Sequence, residues 1–542
     1  MNFLTWLNKI NGILNKENSE VTKILSTDKK YIALKNWLDE NKAEYKNTLQ
    51  FPVAYGPFNI VGCKSAKQIT ENEALFFIPR SLMILSSDYE DILPICVQDE
   101  EENKSTLILT LFLLEEEQKE NSFFKPYIDL FPEQDYIIFW DEKYLKEMDN
   151  EKIILSAHFL YYEIYEIYSK LIKIEKYRSI TPQKFATFFC HVLSRQFYID
   201  DATSALIPCG DLLNHDTVKI KYEIYDSENY VFKYTAHLCN GNSKDLQYTK
   251  SSNPPINSPS YNKYEPINLT GSYSSYNYNT LTEENADEEE DGPVIEIKQN
   301  DYFVLSTSTN QEYKKGVQVF SNYSNMANKT LLKYYGFCLL DNKYDYTVII
   351  FSFFRGKDLM FEKYLEIAFR KKYSTTSDPF NNIIKLKVKF NTVCYDLIRY
   401  YRFMYLYNHK RTSDFLIYSF ERDIEINAIE ESINKIKKEL DYLEENHPLK
   451  NDQVLLEDLL NDPKKENHRM VTIVIFRITQ KRNLLYQIDL LSSLLFIIKN
   501  NNVKSYLEIL DFVGTLNNIS EYDIDERSKK RLSKFITKIV KI

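Results

Sequence analysis

The feature that most constrains the fold is an interruption of strand-like sequence in the middle of the chain. Alternating apolar and polar residues, typical of β-strands, run through residues 221–234 and resume near residue 294 with the run VIEIKQNDYFVL. Between them, residues 240–293 are rich in Ser, Asn, Tyr and Pro, contain few aliphatic residues and end in an acidic run. Such a segment buries too little apolar surface to offset its ordering entropy, so we predict a disordered insertion inside one β-rich domain. The alternative is an acidic segment that binds a partner.

Helical periodicity dominates most of the remaining sequence. Residues 29–45 repeat their apolar positions at helical spacing, and so do the runs TLILTLFLLEEE and AHFLYYEIYEIYSKLIKI. In the C-terminal region, residues 426–443 and 471–498 keep a spacing of three and four that is typical of amphipathic helices. These patterns predict an α+β protein. We expect N-terminal helices in residues 1–50, a β-rich domain in 51–350 with a helical insert at about 100–185, and an all-helical domain in 351–542.

Composition and charge exclude several classes of protein. Hydrophobic residues make up 44% of the chain, which contains 33 Phe and 42 Tyr, so wholesale disorder is excluded. The 68 Lys and Arg against 78 Asp and Glu give a net charge of −10, which argues against a protein that coats nucleic acid. No apolar run approaches the roughly 18–20 residues needed to span a bilayer, so we expect no stable membrane insertion.

Cysteine and histidine spacing argues against metal binding and disulfides. The seven Cys occur singly, without a CxxC pair, and the seven His form no HxxxH cluster. This pattern suits a reducing compartment and predicts no structural zinc. We therefore expect a cytoplasmic protein, with a nuclear or organellar location left open, because the first 16 residues could form either a surface helix or a weak presequence. The basic amphipathic residues 529–542 are interpreted as a packed final helix, with contact to an anionic membrane as the alternative.

Three separated motifs combine residue types that carry chemistry. The first is Asp211-Leu212-Leu213-Asn214-His215; the second runs from Gly316 through Tyr323 and Asn328 to Tyr335-Gly336-Phe337; the third contains Asn59-Ile60-Val61-Gly62 and ends at Phe77-Ile78-Pro79. Taken singly, each has a structural interpretation. The first could be an Asx-turn with a helix cap, and the aromatics of the second could belong to the core.

Taken together and in this order, the motifs resemble those of SET-domain methyltransferases, within the Rubisco large-subunit lysine methyltransferase branch. Three further segments extend the resemblance over most of the chain: SFFKPYIDLFPEQ followed by Phe139-Trp140, the pair Ser194-Arg195, and the run QKRNLL from Gln480. The resemblance implies a SET-domain β-fold with a helical insert, followed by an all-helical C-terminal substrate-binding domain. It also implies S-adenosylmethionine (AdoMet) as cofactor, no metal, and a protein substrate; we expect a monomer.

The same resemblance assigns site residues. It implies that Tyr323 is catalytic, with its hydroxyl beside the acceptor amine and the transferred methyl group. The residues that it implies for cofactor binding are Gly62, Ser194, Arg195, Asp211, Asn214, His215, Tyr335 and Phe337. Within this set, Asn214 and the backbone at His215 would hold the amino-acid end of AdoMet, with Arg195 near its carboxylate, and the two aromatics would line the acceptor channel. A lysine amine has a pKa near 10.4 and must lose its proton before attack, which a dry aromatic channel favours.

Departures from the family pattern leave alternatives open. Ile60 stands where a glycine is usual, and Ser324 follows Tyr323 where glycine is frequent. The leading hypothesis is methyl transfer to a lysine of a non-histone protein. The alternatives are a catalytically silent SET-fold scaffold that binds partners through its C-terminal helices, and a histidine-directed methyltransferase. For His215, a structural role in the cofactor loop is preferred to a role as metal ligand or general base.

Overall fold

The computed structural model describes most of the chain. The described residues are 3–132, 135–200, 202–228, 231–237, 247–251, 297–354, 381–389, 392–409, 421–464 and 467–500. The helices, in chain order, are α1 Phe3–Leu14, α2 Ser19–Ser26, α3 Lys29–Glu40, α4 Lys104–Glu117, α5 Lys125–Ile128, α6 Glu142–Glu147, α7 Glu151–Leu171, α8 Pro182–Arg195, α9 Asn328–Tyr335, α10 Tyr395–Asn408, α11 Arg422–Glu444, α12 Leu449–Asn461 and α13 Asn467–Asn500.

The strands are more numerous and shorter. They are β1 Leu49–Tyr55, β2 Ile60–Ser65, β3 Ala74–Pro79, β4 Ile84–Leu85, β5 Gln196–Tyr198, β6 Ser204–Leu206, β7 Asn214–His215, β8 Ile220–Asp226, β9 Val231–His237, β10 Gln247–Ser251, β11 Asp301–Thr307, β12 Gln318–Ser321, β13 Tyr346–Phe354 and β14 Asn381–Lys389. This mixture of helices and strands confirms the predicted α+β class.

The chain divides into two compact units. The first, which we call the sheet unit, comprises Asn15–Phe139 and Ile154–Asn325. The second, which we call the helical unit, comprises Met1–Leu14, Trp140–Ile153 and Met326–Ile542. Both units are therefore built from segments that are distant in the sequence.

The described residues of the sheet unit form three sheets. Their strand orders are β1-β2-β12-β7, β10-β9-β8-β11-β3 and β4-β6-β5. Apolar side chains of these strands, among them Phe76, Ile78 and Phe303, form one buried cluster with helix residues such as Leu109 and Leu113. Burial of this apolar surface is the main force that holds the short strands together.

The first sheet brings distant motifs into register. Strand β12 pairs antiparallel with β2, with Gln318 opposite Lys64, and parallel with β7, with Phe320 opposite Asn214. Strand β2 carries Gly62, β7 consists of Asn214 and His215, and Tyr323 follows β12 after one residue. The sheet therefore places three sequence motifs side by side.

The helical unit is dominated by α11 and α13. Helix α11 buries one face, formed by Ile424, Ala428, Ile429, Ile433, Ile436 and Leu440, which confirms the amphipathic helix predicted over residues 426–443. Helix α1 also belongs here and buries Trp6, Leu7 and Ile10, with the Trp6 indole N–H donating to Glu457 at 2.7 Å. Because these side chains are buried, α1 is a packed helix.

One element of the C-terminal region was not predicted. Residues 381–389 form strand β14, which pairs antiparallel with β13 from Tyr346–Lys389 to Phe354–Asn381. The expectation that residues 351–542 are all-helical is therefore wrong at this strand and at residues 351–354, the end of β13. The run IIKLKVK has the two-residue period of a half-buried strand: Ile384, Leu386 and Val388 are buried, whereas the lysines between them are exposed.

The predicted insertion at 240–293 lies mostly outside the described residues. Within it, Gln247–Ser251 forms β10 and pairs antiparallel with β9, so the prediction of disorder is wrong for these five residues. The basic segment 529–542 lies outside the described residues. None of the described helices is long and apolar enough to cross a membrane.

Candidate functional site

Tyr323 is held against the segment 213–215 by three contacts. Its backbone N–H donates to His215 Nδ1 at 3.0 Å, and its hydroxyl donates to the Leu213 carbonyl oxygen at 2.8 Å. Its ring stacks on the His215 imidazole with centroids 5.0 Å apart and planes at 28°. The parallel pairing of β12 with β7 explains these contacts, because it delivers Tyr323 beside the end of β7. The side chain is thus fixed in position and in rotamer.

His215 acts through its shape and its neutral state. The residue is 5% exposed, and burial lowers the pKa of its imidazole from 6.5 to about 4, partly offset by a hydrogen bond to the backbone of Ser321. The ring is therefore neutral near pH 7, and Nδ1 is free to accept from Tyr323. Among the described residues, no group of three His, Cys, Asp or Glu is placed to hold a metal ion. His215 thus contacts Tyr323 through both its Nδ1 and its ring.

The Tyr323 hydroxyl stays protonated. Burial raises the pKa of this phenol well above its usual value of 10, with Asp211 adding to the effect and Arg195 opposing it. The phenol donates its proton to the Leu213 carbonyl, and a phenol oxygen can also accept a hydrogen bond.

Gly62 leaves room for two carboxamide side chains. A Cβ atom built on Gly62 would lie 2.6 Å from Asn214 Nδ2 and 3.3 Å from Gln318 Nε2. Real Cβ contacts essentially never fall below 3.0 Å, so any larger residue would displace Asn214. The glycine is required here by close approach of side chains from β7 and β12.

Arg195 and Asp211 form a buried ion pair. Arg195 Nη1 lies 2.8 Å from Asp211 Oδ2, and the side chains are 12% and 1% exposed. The Tyr127 hydroxyl of α5 donates to the same carboxylate oxygen at 2.8 Å. The turn that carries Asp211 starts at Cys209, whose φ of +76° is rare for a residue other than glycine. Arg195 is thus committed to Asp211 through one guanidinium nitrogen.

Ser194 also contacts a tyrosine of the helical insert. Its hydroxyl lies 2.7 Å from the Tyr136 hydroxyl and donates to the His191 carbonyl at 3.2 Å. Ser194 and Arg195 are the last two residues of helix α8. The helix begins with Thr181 as N-cap, whose hydroxyl accepts from the Lys184 N–H.

Tyr335 and Phe337 lie in the helical unit. Their rings form an edge-to-face pair with centroids 6.1 Å apart. Between them, Gly336 ends α9 in the left-handed conformation, with a φ of +75° and its N–H donating to Leu332. Asn328, 0% exposed, holds the following segment because its Oδ1 accepts from the Leu339 N–H at 3.0 Å.

The sheet-unit residues also leave polar atoms in need of partners. Among the described residues, four buried side-chain atoms of this region have no hydrogen-bond partner: Arg195 Nε, Asp211 Oδ1, Gln318 Oε1 and Ser324 Oγ. Buried polar groups are nearly always paired, so such a concentration marks a place that ligand binding can rearrange. The two carboxamides packed at Gly62 and the neighbouring ion pair supply the donors and acceptors that a zwitterionic ligand needs.

Gly62, Ser194, Arg195, Asp211, Asn214, His215 and Tyr323 are all in the sheet unit. Sequence reasoning missed Tyr127, Tyr136 and Gln318 as residues of this region. Tyr127 and Gln318 lie inside motifs that it had singled out, and Tyr136 lies between two of them. Only their contacts distinguish them from core residues.

The fold is that of a SET domain with a helical insert and a largely helical C-terminal region, as the sequence motifs predicted. A structure of Rubisco LSMT bound to AdoMet has a TM-score of 0.53 and 16% identity, covering 93% of this chain and 100% of that chain. Rubisco LSMT bound to sinefungin and monomethyllysine has a TM-score of 0.53 and 17% identity, covering 87% and 94%. The SET domain of LSMT bound to lysine and AdoHcy has a TM-score of 0.51 and 17% identity, covering 87% and 92%. No family model and no curated protein matches the chain.

Proposed function

We propose that this chain is an AdoMet-dependent methyltransferase that acts on a lysine side chain of a non-histone protein. The observation that carries the proposal is the placement of Tyr323, whose hydroxyl is fixed on Leu213 next to Asn214 and His215. The fold supports it, because the LSMT structures of the same fold are bound to AdoMet or AdoHcy and to lysine or monomethyllysine.

Each sheet-unit residue has a physical task in this proposal. When bound, AdoMet supplies a methyl group on a sulfonium. Asn214, which packs against Gly62, and the backbone of His215 would hold its amino-acid end. The Arg195–Asp211 pair, with a free Nε and a free Oδ1, offers one donor and one acceptor to that end or to ordered water. Ser194 would contact the same end.

Tyr323 would orient the acceptor amine. Its phenol proton goes to Leu213, so its oxygen accepts an N–H of the neutral amine and leaves the nitrogen lone pair for the methyl group. The raised pKa of the phenol means that Tyr323 does not remove the amine proton; that proton leaves to water. That Tyr335 and Phe337 line the acceptor channel remains a prediction. A monomeric state, the absence of nucleic-acid binding and a cytoplasmic location also remain predictions.

A silent scaffold is the second candidate, favoured by Ser324. This residue stands where glycine is frequent, has a φ of +156°, and buries an unpartnered hydroxyl directly after Tyr323. A histidine acceptor is the third candidate, and the lysine and monomethyllysine in the LSMT structures favour lysine over it.

The test compares the wild-type protein with Tyr323→Phe. AdoMet binding is measured by calorimetry in the presence of a chelator, and methylated proteins from a lysate are identified by mass spectrometry. Losing one preorganised hydrogen bond at a reacting centre costs about 10²–10³ in rate, so the variant should lose turnover to that extent. AdoMet affinity should stay within about threefold.

The controls separate chemistry from packing. Removing the hydroxyl leaves the buried Leu213 carbonyl without that donor, so stability should fall by about 1–3 kcal/mol. Asn214→Ala should show the opposite pattern and lose AdoMet affinity first. A Tyr323→Phe enzyme with wild-type turnover would contradict the catalytic assignment, and a wild-type protein that binds no AdoMet would support the scaffold.

A further inference from the structure

Gln318 is a polar residue of the sheet that the proposed chemistry does not use. It begins β12, and its Cα lies opposite Lys64 of β2. Its side-chain oxygen Oε1 is fully buried and accepts no hydrogen bond from any described residue. An unpaired acceptor in the interior is costly, so it calls for a role in another state of the site.

The carboxamide of Gln318 shares one small space with that of Asn214. Gln318 Nε2 and Asn214 Nδ2 both lie within 3.3 Å of the point where Gly62 would carry its Cβ. The strand pairing explains why they meet: Phe320 stands opposite Asn214, and Gln318, two residues earlier, has its side chain on the same face as Phe320. The missing Cβ of Gly62 is what admits both groups.

An asparagine that holds a ligand must have its oxygen and nitrogen the right way round. The two ends of a carboxamide have the same shape, so packing alone does not select the orientation. A neighbouring acceptor does, because it attracts the NH₂ end and leaves the oxygen for a ligand donor such as an ammonium group. The terminal torsion of glutamine is broad and roughly two-fold, so rotating Gln318 to bring its oxygen to the nitrogen position is inexpensive.

We propose that Gln318 is a positioning residue of the cofactor site, whose Oε1 accepts a hydrogen bond from Asn214 Nδ2 in the AdoMet-bound state and thereby points Asn214 Oδ1 at the ligand. This inference rests on the proposed function, since it assigns Asn214 to AdoMet binding. It makes Gln318 act through Asn214 and without its own contact to the transferred methyl group.

The experiment is a double-mutant cycle on AdoMet affinity, measured by calorimetry on the full chain. Gln318→Met removes the acceptor at nearly constant volume and should weaken AdoMet binding about 5- to 10-fold, the effect of one hydrogen bond. Combined with Asn214→Ala, it should add less than about twofold, because the residue through which it acts is gone. Gln318→Glu keeps an acceptor and should bind AdoMet within about threefold of wild type.

A matched control and the melting temperature exclude a purely structural effect. Gln50 lies on β1 of the same sheet with an exposed side chain, and Gln50→Met should leave AdoMet affinity unchanged. The melting temperatures of all ligand-free variants should agree within a few degrees. Three results would overturn the proposal: wild-type affinity in Gln318→Met, fully additive losses with Asn214→Ala, or equal losses in Gln318→Glu and Gln318→Met. If the wild-type protein binds no AdoMet, the proposed function fails and this inference fails with it, whereas the three results above leave the function intact.

Discussion

Substituting Gly62 by alanine should separate the stability of the fold from the integrity of the cofactor site. The new methyl carbon would start 2.6 Å from Asn214 Nδ2, whereas unstrained carbon contacts lie at about 3.5–4.0 Å. The Asn214 carboxamide must therefore retreat by about 1 Å or rotate away. The obstructing atom is the end of a side chain and not backbone, so the fold can yield at little cost.

The expected magnitude follows from what Asn214 would lose. Hydrogen bonds to charged groups contribute about 1.5–3 kcal/mol each, so displacement of one such donor or acceptor weakens binding by about 10- to 100-fold. Overpacking of a rigid core costs about 1–3 kcal/mol, and a site with a movable neighbour should lie at or below the lower end of that range. Gly62→Ala should therefore lower AdoMet affinity by at least tenfold while the free energy of unfolding falls by about 1 kcal/mol or less.

The assay is AdoMet calorimetry together with urea unfolding of the ligand-free protein. Gly12→Ala is the matched control, because a Cβ at Gly12 meets no atom within 4 Å; in helix α1 it should stabilise by about 0.5–1 kcal/mol and leave affinity unchanged. Should Gly62→Ala prove unstable, adding Asn214→Ala removes the obstructing amide and should restore stability. Wild-type AdoMet affinity in a folded Gly62→Ala protein would refute the assignment of Asn214 to the cofactor.

Three further predictions concern stability. Replacing Ser324 by glycine removes a buried unpartnered hydroxyl and relieves the strain of a φ of +156°. The free energy of unfolding in urea should therefore rise by up to about 1 kcal/mol, and a decrease would contradict the strain. Burial lowers the pKa of His191 to about 3 and that of His215 to about 4, whereas both have a pKa near 6.5 in the unfolded chain. As the pH falls below 6.5, the unfolded chain therefore binds protons that the folded protein does not bind, and the folded state becomes less stable. Between pH 7 and 5 stability should drop by roughly 2 kcal/mol for each histidine, and a flat profile would be inconsistent with neutral burial. The Asp452 carboxylate lies 2.6 Å from the buried cations of Arg477 and Lys481. Asp452→Asn removes its charge and should lower the free energy of unfolding by about 3–5 kcal/mol. Asp462→Asn, at the exposed pair with Lys464, should lower it by less than about 1 kcal/mol.

The periodicity of apolar residues predicted the helices of this chain well, but it did not predict all of its strands. Helix α11 follows from a spacing of three and four, because one buried face is a local property of the sequence. Strand β14 was missed even though Ile384, Leu386 and Val388 alternate with lysines, because the helical patterns on both sides dominated the interpretation. The alternation covers only residues 384–389, which is a short signal beside a 23-residue helix.

The site shows a different limit of sequence reasoning. The motifs identified Asn214 and Tyr323, but the tyrosine that anchors Asp211 lies 84 residues away from it. A sequence does not reveal which buried polar atoms lack a hydrogen-bond partner, because hydrogen bonding depends on interatomic distances and angles. From the sequence, Gln318 was therefore indistinguishable from an ordinary strand residue. Only its close approach to Gly62 and Asn214 in the structure sets it apart.

The two departures from the SET-domain motif differ in physical weight. Ile60 is 44% exposed at the start of β2, so a large part of its side chain is in contact with solvent. The glycine on which Asn214 depends is Gly62, and it is retained. Ser324, in contrast, is buried beside Tyr323 in a backbone conformation that favours glycine. If one of the two departures reduces methyl transfer, the cause must therefore be sought at Ser324, where strain acts on the orientation of the Tyr323 hydroxyl rather than on cofactor binding. An effect of Ser324→Gly on turnover at unchanged AdoMet affinity is the consequence of that argument.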